Sequence, residues 1–300
     1  MSWIFITIIA YFFHALNAVT DKFLLSERIP RPSIYAFYVG IFGLGALVLI
    51  PFGDFFIPNN LEIIKALVSG AAFTFALFLF FTAMKYGEAS RVSTIIGGAS
   101  PIFVLLLSYF FLGSFLSQKE FTAFLVLILG SALIAFEKLR PKSKGWGSIK
   151  IIGLAILSAF IFAVSYVFAK AVFNELPFIN GFIWTRFGSF AAAILFLIPR
   201  DVRQSIFRLP AMAEKSTIVI FLINKLFGVL GFFILYYAIF LGNVSLINAM
   251  QGIEYALIFI IILFLSFRYP AILKEDISTK IVLQKSVAII LIGIGLFILV

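Results

Sequence analysis

Apolar residues fill ten successive stretches of the chain, and short polar segments separate them. A helix needs about 20 mostly apolar residues to cross the hydrocarbon layer of a bilayer, whereas an open sheet would leave backbone groups unpaired there. The pattern therefore predicts an all-α membrane protein with ten transmembrane helices. The predicted spans cover residues 2–20, 33–52, 63–84, 91–112, 118–137, 148–173, 178–198, 216–241, 244–267 and 281–300.

The connection between the seventh and eighth spans has a helical pattern of its own. Within residues 201–210, Val202, Ile206 and Leu209 recur at helical spacing, with arginines between them. A short helix with one apolar and one basic face is typical of a segment on the membrane surface. We expect such a helix here.

The two halves of the chain resemble each other. A shift of 148 residues aligns the first span with the sixth, and a shift of 155 aligns the end of the third with the end of the eighth; examples are Phe12 with Phe160, Lys22 with Lys170, Phe78 with Phe233 and Gly87 with Gly242. Each half holds five spans, an odd number, so the second half must enter the membrane inverted relative to the first. We predict two inverted five-helix repeats, residues 1–137 and 148–300, joined by a basic linker at 138–147 and arranged around a central cavity.

Composition and charge narrow the class. The chain is 63% hydrophobic and 12% charged, whereas soluble domains are about 25% charged. The loops after the odd-numbered spans carry 18 of the 23 Lys and Arg, so the positive-inside rule places them in the cytoplasm and both termini outside. The net charge of +10 is thereby explained by topology. Membrane lipids are expected partners, and nucleic acid is not.

The residue inventory excludes several chemistries. The chain has no Cys and a single His, which excludes disulfides, thiolate metal sites and clusters of His ligands. It lacks a P-loop sequence, so ATP-driven pumping by this chain is not expected. We therefore expect no cofactor, no metal site and no catalytic residues.

The fourth span carries a recognisable motif, YGEASRVSTIIGGASPIFVLLLSYFFLGS at residues 86–114. With a lysine closing the first span of each half, it resembles the EamA-type transporters of the drug/metabolite transporter superfamily; the matching positions are Gly87, Ser90, Ser100, Pro101, Phe111, Leu112 and Gly113. The chain departs from the family at Ser114, where Glu is usual, and at Glu254-Tyr255-Ala256, where the second half would carry Ser-Pro.

The resemblance implies a ten-helix basket with a central cavity that moves small metabolites. Family members are usually drawn with both termini in the cytoplasm, which is opposite to the orientation that the charge count predicts. We expect a multi-pass protein of the prokaryotic inner membrane.

Three ionisable residues interrupt consecutive apolar spans: Arg186, Lys225 and Glu254. A charge near the centre of a bilayer costs at least about 2.5–3.5 kcal/mol, so such residues usually face a partner or a polar cavity. At about 1.5 Å per residue they lie about 18, 14 and 20 Å from the cytoplasmic ends of their spans. That is close to the middle of a layer about 30 Å thick. We predict that they line one substrate-binding site.

Glu254 continues a polar stripe with Asn248 and Gln251, at three-residue spacing on one helix face. Two interpretations are open. Glu254 either pairs with Arg186 or Lys225 as a brace, or it carries a coupling proton, because desolvation favours the neutral carboxyl while nearby cations favour the charged one. Even with a brace, one cation stays unpaired, and an unpaired cation suits a carboxylate- or phosphate-bearing substrate.

His14 and Asn17 share one face of the first span with Asp21, and Trp184 lies near Arg186. We include His14, Asn17 and Trp184 among the substrate-binding candidates, although a lone His in a membrane helix serves equally well as a helix–helix hydrogen-bonding group.

Four further residues are candidates for gating: Ser100, Pro101, Lys22 and Lys170. We expect Ser100 and Pro101, together with Gly97 and Gly98, to interrupt the fourth span. Lys22 and Lys170 occupy equivalent positions in the two halves. Helix packing is the alternative role for the glycines and the Ser-Pro pair. Snorkelling to the headgroups is the alternative for the two lysines.

Taken together, these features predict a secondary transporter that moves a small metabolite by alternating access, with proton or ion coupling as an option. Two alternatives are a lipid-linked sugar flippase, which would need a laterally open groove, and an integral membrane enzyme, which would need a nucleophile or metal constellation.

Overall fold

The computed structural model describes residues 2–27, 32–87, 89–135, 146–212, 215–268 and 279–300. These residues form helices and no strand, and ten stretches are long and apolar enough to cross a membrane. The predicted all-α membrane fold with ten spans is therefore confirmed. The helices are α1 (Ser2–Glu27), α2 (Pro32–Phe42), α3 (Asn60–Tyr86), α4 (Ala89–Leu112), α5 (Gln118–Ala135), α6 (Trp146–Glu175), α7 (Phe178–Leu195), α8 (Arg200–Met212), α9 (Lys215–Leu241), α10 (Val244–Ala249), α11 (Gly252–Arg268) and α12 (Thr279–Leu299).

The second span changes its winding halfway. After α2, the chain continues as a 3-10 segment, Gly43–Phe52, that has no buried residue and lies against α7. Gly43 and Gly45 weaken the α-helical preference, and Pro51 removes a backbone donor. The 3-10 segment leaves one side of this span without a helix packed on it, which matters for the cavity described below.

The position of the broken helix differs from our expectation. We expected an interruption of the fourth span at Gly97–Pro101, but α4 runs unbroken through Pro101. One proline removes a single backbone bond, and the turns on either side continue the helix. The break lies instead in the ninth span, which we expected to be continuous and which divides into α10 and α11.

The packing of the helices is consistent with two inverted repeats. The first helix of each half packs along the third-span helix of the other half, as α1 with α9 and α6 with α3, and the fifth helices, α5 and α12, pack on each other. In α3, a Cβ atom at Gly70 would lie 1.8 Å from the backbone oxygen of Thr185, so α3 and α7 touch at backbone distance. Small residues permit such close approach in membranes.

The helix predicted between the seventh and eighth spans is present as α8. Ile206 is its buried residue facing the bundle, and the Ile206 carbonyl accepts a hydrogen bond from the Tyr38 hydroxyl at 3.0 Å. Its position at the membrane surface stays a prediction.

Candidate functional site

A cavity of about 1020 Å³ lies in the middle of the bundle. On α1 its described lining runs from Tyr11 to Asp21, on α3 from Phe73 to Met84, and on α11 from Glu254 to Ile262. Each of these stretches extends from the middle of a span toward the end that carries the basic loops. The cavity therefore reaches from the midplane to that end of the bundle.

The three charged residues singled out from the sequence all line this cavity, and so do Gln251, Asn248, His14 and Asn17. Trp184 is not among the described lining residues. Its indole nitrogen donates to the Phe56 carbonyl at 3.2 Å, and its ring stacks on Phe55. It belongs to the opposite end of the bundle.

Arg186 sits in a cage of aromatic rings at the inner end of the cavity. The three ring centres lie 4.6, 4.9 and 5.3 Å from its Cζ atom and belong to Tyr236, Phe182 and Phe73. The residue is 6% exposed, and its Nη2 atom has no hydrogen-bond partner. Ring faces attract a guanidinium group without neutralising its charge. Within the described ranges, no carboxylate lies within 4 Å of Arg186.

Lys225 has a carboxylate partner that we did not predict for it. Its Nζ atom lies 3.8 Å from an oxygen of Asp21 and 3.8 Å from the centre of the Tyr35 ring. The Asp21 carboxylate also accepts hydrogen bonds from the side-chain amides of Asn17 and Asn224. A pair that is also hydrogen-bonded is the form in which charges are tolerated away from water.

Glu254 stands at the break of the ninth span, in the first turn of α11, with the Gln251 side chain beside its carboxyl group. A negative charge is favourable there because the amino end of a helix carries partial positive charge. No described ion pair joins Glu254 to Arg186. The predicted brace between these two is therefore absent from the described residues.

The break is stabilised by side chains from other helices. Across it, the amides of Gln251, Ile253 and Glu254 bond to the carbonyl three residues back, as in a 3-10 turn. The carbonyls of Ile247 and Ala249 are satisfied instead by the Tyr11 hydroxyl at 2.8 Å and the Ser131 hydroxyl at 3.4 Å. Freed backbone groups need such partners in a membrane.

His14 and Asn17 face the cavity from α1. His14 packs edge-on against Phe232, with ring centres 4.4 Å apart, and its Nε2 atom has no hydrogen-bond partner. Asn17 donates to Asp21 at 2.8 Å, while its Oδ1 atom is unpartnered. Each residue therefore has a buried polar atom without a described hydrogen-bond partner, and the Asn17 Oδ1 atom lies against Gly228 of α9.

The four gating candidates fall in different places. Ser100 lines the cavity, whereas Pro101 is buried within α4. Lys170 does not reach for headgroups: its Nζ atom donates to the carbonyls of Ile239 and Phe240 at 3.0 and 3.1 Å, at the carboxyl end of α9. A cation is favourable at that helix end. The side chain of Lys22 lies outside the described residues.

Gly97 serves contact between helices. A Cβ atom there would lie 2.2 Å from the Tyr255 hydroxyl, which donates to the Ser93 carbonyl at 3.3 Å. This contact joins α4 to α11 beside Glu254, as expected for the packing role of a membrane glycine.

The end of the bundle opposite the basic loops is sealed. Hydrogen bonds link its helices across the two halves, among them Ser69 to Ser165 at 2.8 Å, Ser108 to Ser245 at 2.7 Å and Asn243 to Ser114 at 3.2 Å. The described cavity thus has a closed floor on that side.

Part of the chain matches a known protein family. Residues 1–136 match the EamA-like transporter family. This family is part of the drug/metabolite transporter superfamily, so the resemblance seen in the sequence is confirmed over that part of the chain. The match covers the first of the two predicted halves of the chain.

A solved structure has a similar fold. One solved crystal structure superposes over 98% of this chain and 93% of its own, with a TM-score of 0.66 and 15% sequence identity. At that identity the likeness shows the fold alone, and it covers both halves of the chain. No curated protein sequence matches the chain.

The aromatic cage was missed by sequence reasoning. Phe73 and Phe182 are two of 40 Phe residues, so nothing local marks them. Lys285 was also missed; it lines the cavity with its Nζ atom 4.6 Å from the centre of the Phe259 ring. Its position near the start of α12 gave it the appearance of a loop charge.

Proposed function

We propose that the protein is a secondary transporter that moves a small organic anion by alternating access, with Arg186 as the group that binds the anion. The observation that carries this proposal is the caged guanidinium. Arg186 lines the cavity, has no described carboxylate within 4 Å, and has a buried Nη2 atom without a hydrogen-bond partner.

A buried donor without a partner costs about 1–3 kcal/mol, and more for a charged group. The rings of Tyr236, Phe182 and Phe73 offset part of this cost but accept no full hydrogen bond. A carboxylate or phosphate in the cavity would supply both the acceptor and the counter-charge, because a guanidinium group binds either in a two-pronged geometry.

The other charges in the cavity support this assignment. Asp21 lies against Lys225, so that positive charge is balanced locally. Lys285 also lines the cavity, but near the start of α12. Among the described cations of the cavity, Arg186 is then the one at the predicted midplane depth with capacity for an anion. A cavity of about 1020 Å³ is large enough for a metabolite.

We assign the coupling proton to Glu254. Its carboxyl group lines the same cavity as Arg186 and stands at the broken helix. Protonation would change the charge at the junction of α10 and α11, where a small movement alters the cavity wall. Through this change in the cavity wall, a proton gradient would drive movement of the substrate across the membrane.

The orientation follows from the loops. With the odd-numbered loops in the cytoplasm, the conformation described here opens to the cytoplasm. We also propose that the protein is a multi-pass protein of the prokaryotic inner membrane.

A two-step experiment tests the proposal. A thermal-shift screen of small carboxylates and phosphates first identifies a ligand that raises the melting temperature. Uptake of that ligand and of its neutral amide or ester is then measured in proteoliposomes. Arg186→Gln should lower anion uptake about ten- to hundredfold, the worth of a charged hydrogen bond, and should leave the neutral analogue nearly unchanged.

The matched control is Arg203→Gln, which removes an exposed arginine from α8 and should change neither flux. Equal losses for the anion and the neutral analogue would contradict an anion site at Arg186. A chemically altered product inside the liposomes would favour the membrane-enzyme alternative.

A further inference from the structure

The cavity wall between α2 and α9 differs from the wall on the opposite side. On the opposite side, α3 and α7 meet at backbone distance, and a Cβ atom at Gly188 would lie 2.3 Å from the Leu67 backbone oxygen. Within the described residues, α9 and α2 do not pack as closely; side chains link them, with the Asn224 amide donating to the Tyr35 hydroxyl at 3.0 Å and Lys225 over the Tyr35 ring. The repeat explains the difference: the shifts of 155 and 148 residues put Lys225 at the place of Gly70, and Gly40 at that of Gly188. A lysine holds apart two helices that a glycine would let touch.

The gap beside α2 lies between the 3-10 segment and α9, which are likewise not packed closely within the described residues. Val48 in the 3-10 segment is 71% exposed and Val229 in α9 is 46% exposed, yet both line the cavity. Val229 lies about 21 Å along α9 from its first residue, near the middle of the bilayer. Cavity-lining side chains that are this exposed on both elements indicate an opening of the cavity between them, near midplane depth.

Arg186 lies directly behind this gap. A Cβ atom at Gly43, the first residue of the 3-10 segment, would lie 3.5 Å from the Arg186 Cδ atom. An anion held by Arg186 is thus next to an apolar opening, while the polar side chains of Asn17 and Lys225 lead from it toward the basic-loop end.

From this arrangement we infer that the substrate is a single-chain amphipathic anion, whose head binds Arg186 while its tail stays in the bilayer through the gap between Gly43–Phe52 and α9. The inference rests on the proposed role of Arg186 and adds the class of substrate. It follows from solvation: each methylene group taken out of an apolar surrounding into water costs about 0.8 kcal/mol. A tail that remains in the lipid avoids this cost, and the head avoids hydrocarbon by moving through the polar cavity.

The test compares two probes of equal charge, ethyl phosphate and dodecyl phosphate, both radiolabelled. Binding is measured to the full chain in lipid nanodiscs, and the binding that remains with Arg186→Gln is subtracted. The wild-type protein should bind dodecyl phosphate more tightly than ethyl phosphate.

A bulky side chain in the gap distinguishes the contribution of the tail to binding from that of the head. Val229→Trp should weaken dodecyl phosphate binding about tenfold, equivalent to the loss of about two buried methylene groups. Ethyl phosphate, which does not extend to the gap, should lose about twofold at most on the same scale. The control Val219→Trp changes an exposed valine of the same helix that does not line the cavity, and it should change neither affinity.

The remaining outcomes are distinguishable. If Val229→Trp leaves dodecyl phosphate binding unchanged, or weakens both probes equally, the lateral route is overturned while an anion site at Arg186 stands. If Arg186→Gln binds both probes as well as the wild type does, the anion site itself is overturned and the lateral route with it.

Discussion

Lys225 is held by a neighbour on another helix. The Asp21 carboxylate that pairs with it lies at the end of α1, 204 positions earlier in the chain, and two asparagine amides hold that carboxylate in place. A shielded ion pair of this kind stabilises the fold only while both charges are present, because removing one leaves the other unpaired in an apolar surrounding.

Breaking this pair should destabilise the protein. Removing one partner of a buried pair costs about 3–5 kcal/mol, so Asp21→Asn should lower the melting temperature of the purified protein. Asp21→Asn combined with Lys225→Met should recover much of the loss, since no charge is then left behind. A double-mutant cycle followed by thermal unfolding measures the coupling.

The pair Lys65–Glu62 provides the comparison, because it lies three residues apart on one helix and its lysine side chain is 24% exposed, whereas that of Lys225 is 9% exposed. Its coupling should stay below about 1 kcal/mol. Equal coupling in the two pairs would contradict the view that shielding makes the Asp21–Lys225 pair important.

Glu254 is the residue whose charge state should govern coupling. In Glu254→Gln the side chain is permanently neutral. We expect exchange of substrate between the two sides of a proteoliposome to persist, and acceleration of net flux by a proton gradient to disappear. Glu175→Gln, an exposed carboxylate at the end of α6, should keep the wild-type response to the gradient. A Glu254→Gln protein that still responds fully to pH would remove Glu254 from the coupling mechanism.

At the scale of helices, the crossing of α3 and α7 should be the least tolerant of added volume. Gly70→Ala puts a methyl group 1.8 Å from the Thr185 oxygen, so the two helices must separate. Overpacking usually costs about 1–3 kcal/mol, and a lower melting temperature with slower transport is expected.

Gly153→Ala is the matched control, because a Cβ atom at Gly153 in α6 has no neighbour within 4 Å. In a helix without a close contact, Gly to Ala is stabilising by up to about 1 kcal/mol. Similar melting temperatures for the two variants would contradict the backbone-level contact between α3 and α7.

At the scale of the whole molecule, the cavity is open at one end and sealed at the other. The chain has no Cys, so single cysteines report access cleanly. Met84→Cys, in the lining near the basic loops, should react with a membrane-impermeant maleimide from the cytoplasmic side. Ser108→Cys, buried and bonded to Ser245 at the sealed end, should react far more slowly from either side.

Two exposed positions calibrate the sides. Arg203→Cys on α8 should label from the cytoplasm, and Lys119→Cys at the start of α5 should label from outside. If Met84→Cys and Arg203→Cys label from the outside instead, the orientation from the charge count is wrong. The usual family orientation, with both termini in the cytoplasm, would then be the correct one.

The number of spans and the match of residues 1–136 to a transporter family could be obtained from the sequence, and the same reasoning predicts the depth of the three charges. These properties depend on position along a helix axis, and a helix in a bilayer has a set rise per residue and a set thickness to cross. Asn248, Gln251 and Glu254 were likewise predictable as residues of one cavity, because they belong to one span, although the break places Asn248 on α10 and Glu254 on α11.

The partner of each charge was decided by the tertiary structure. The rotation of each helix about its axis, and the choice of its neighbour, bring Asp21 to Lys225 and bring two phenyl rings and one phenol ring around Arg186. The break at α10–α11, instead of at Pro101, depends in the same way on Tyr11 and Ser131 from other helices. Such contacts join residues far apart in the chain, and in a protein this rich in Phe no local pattern indicates which side chains will meet.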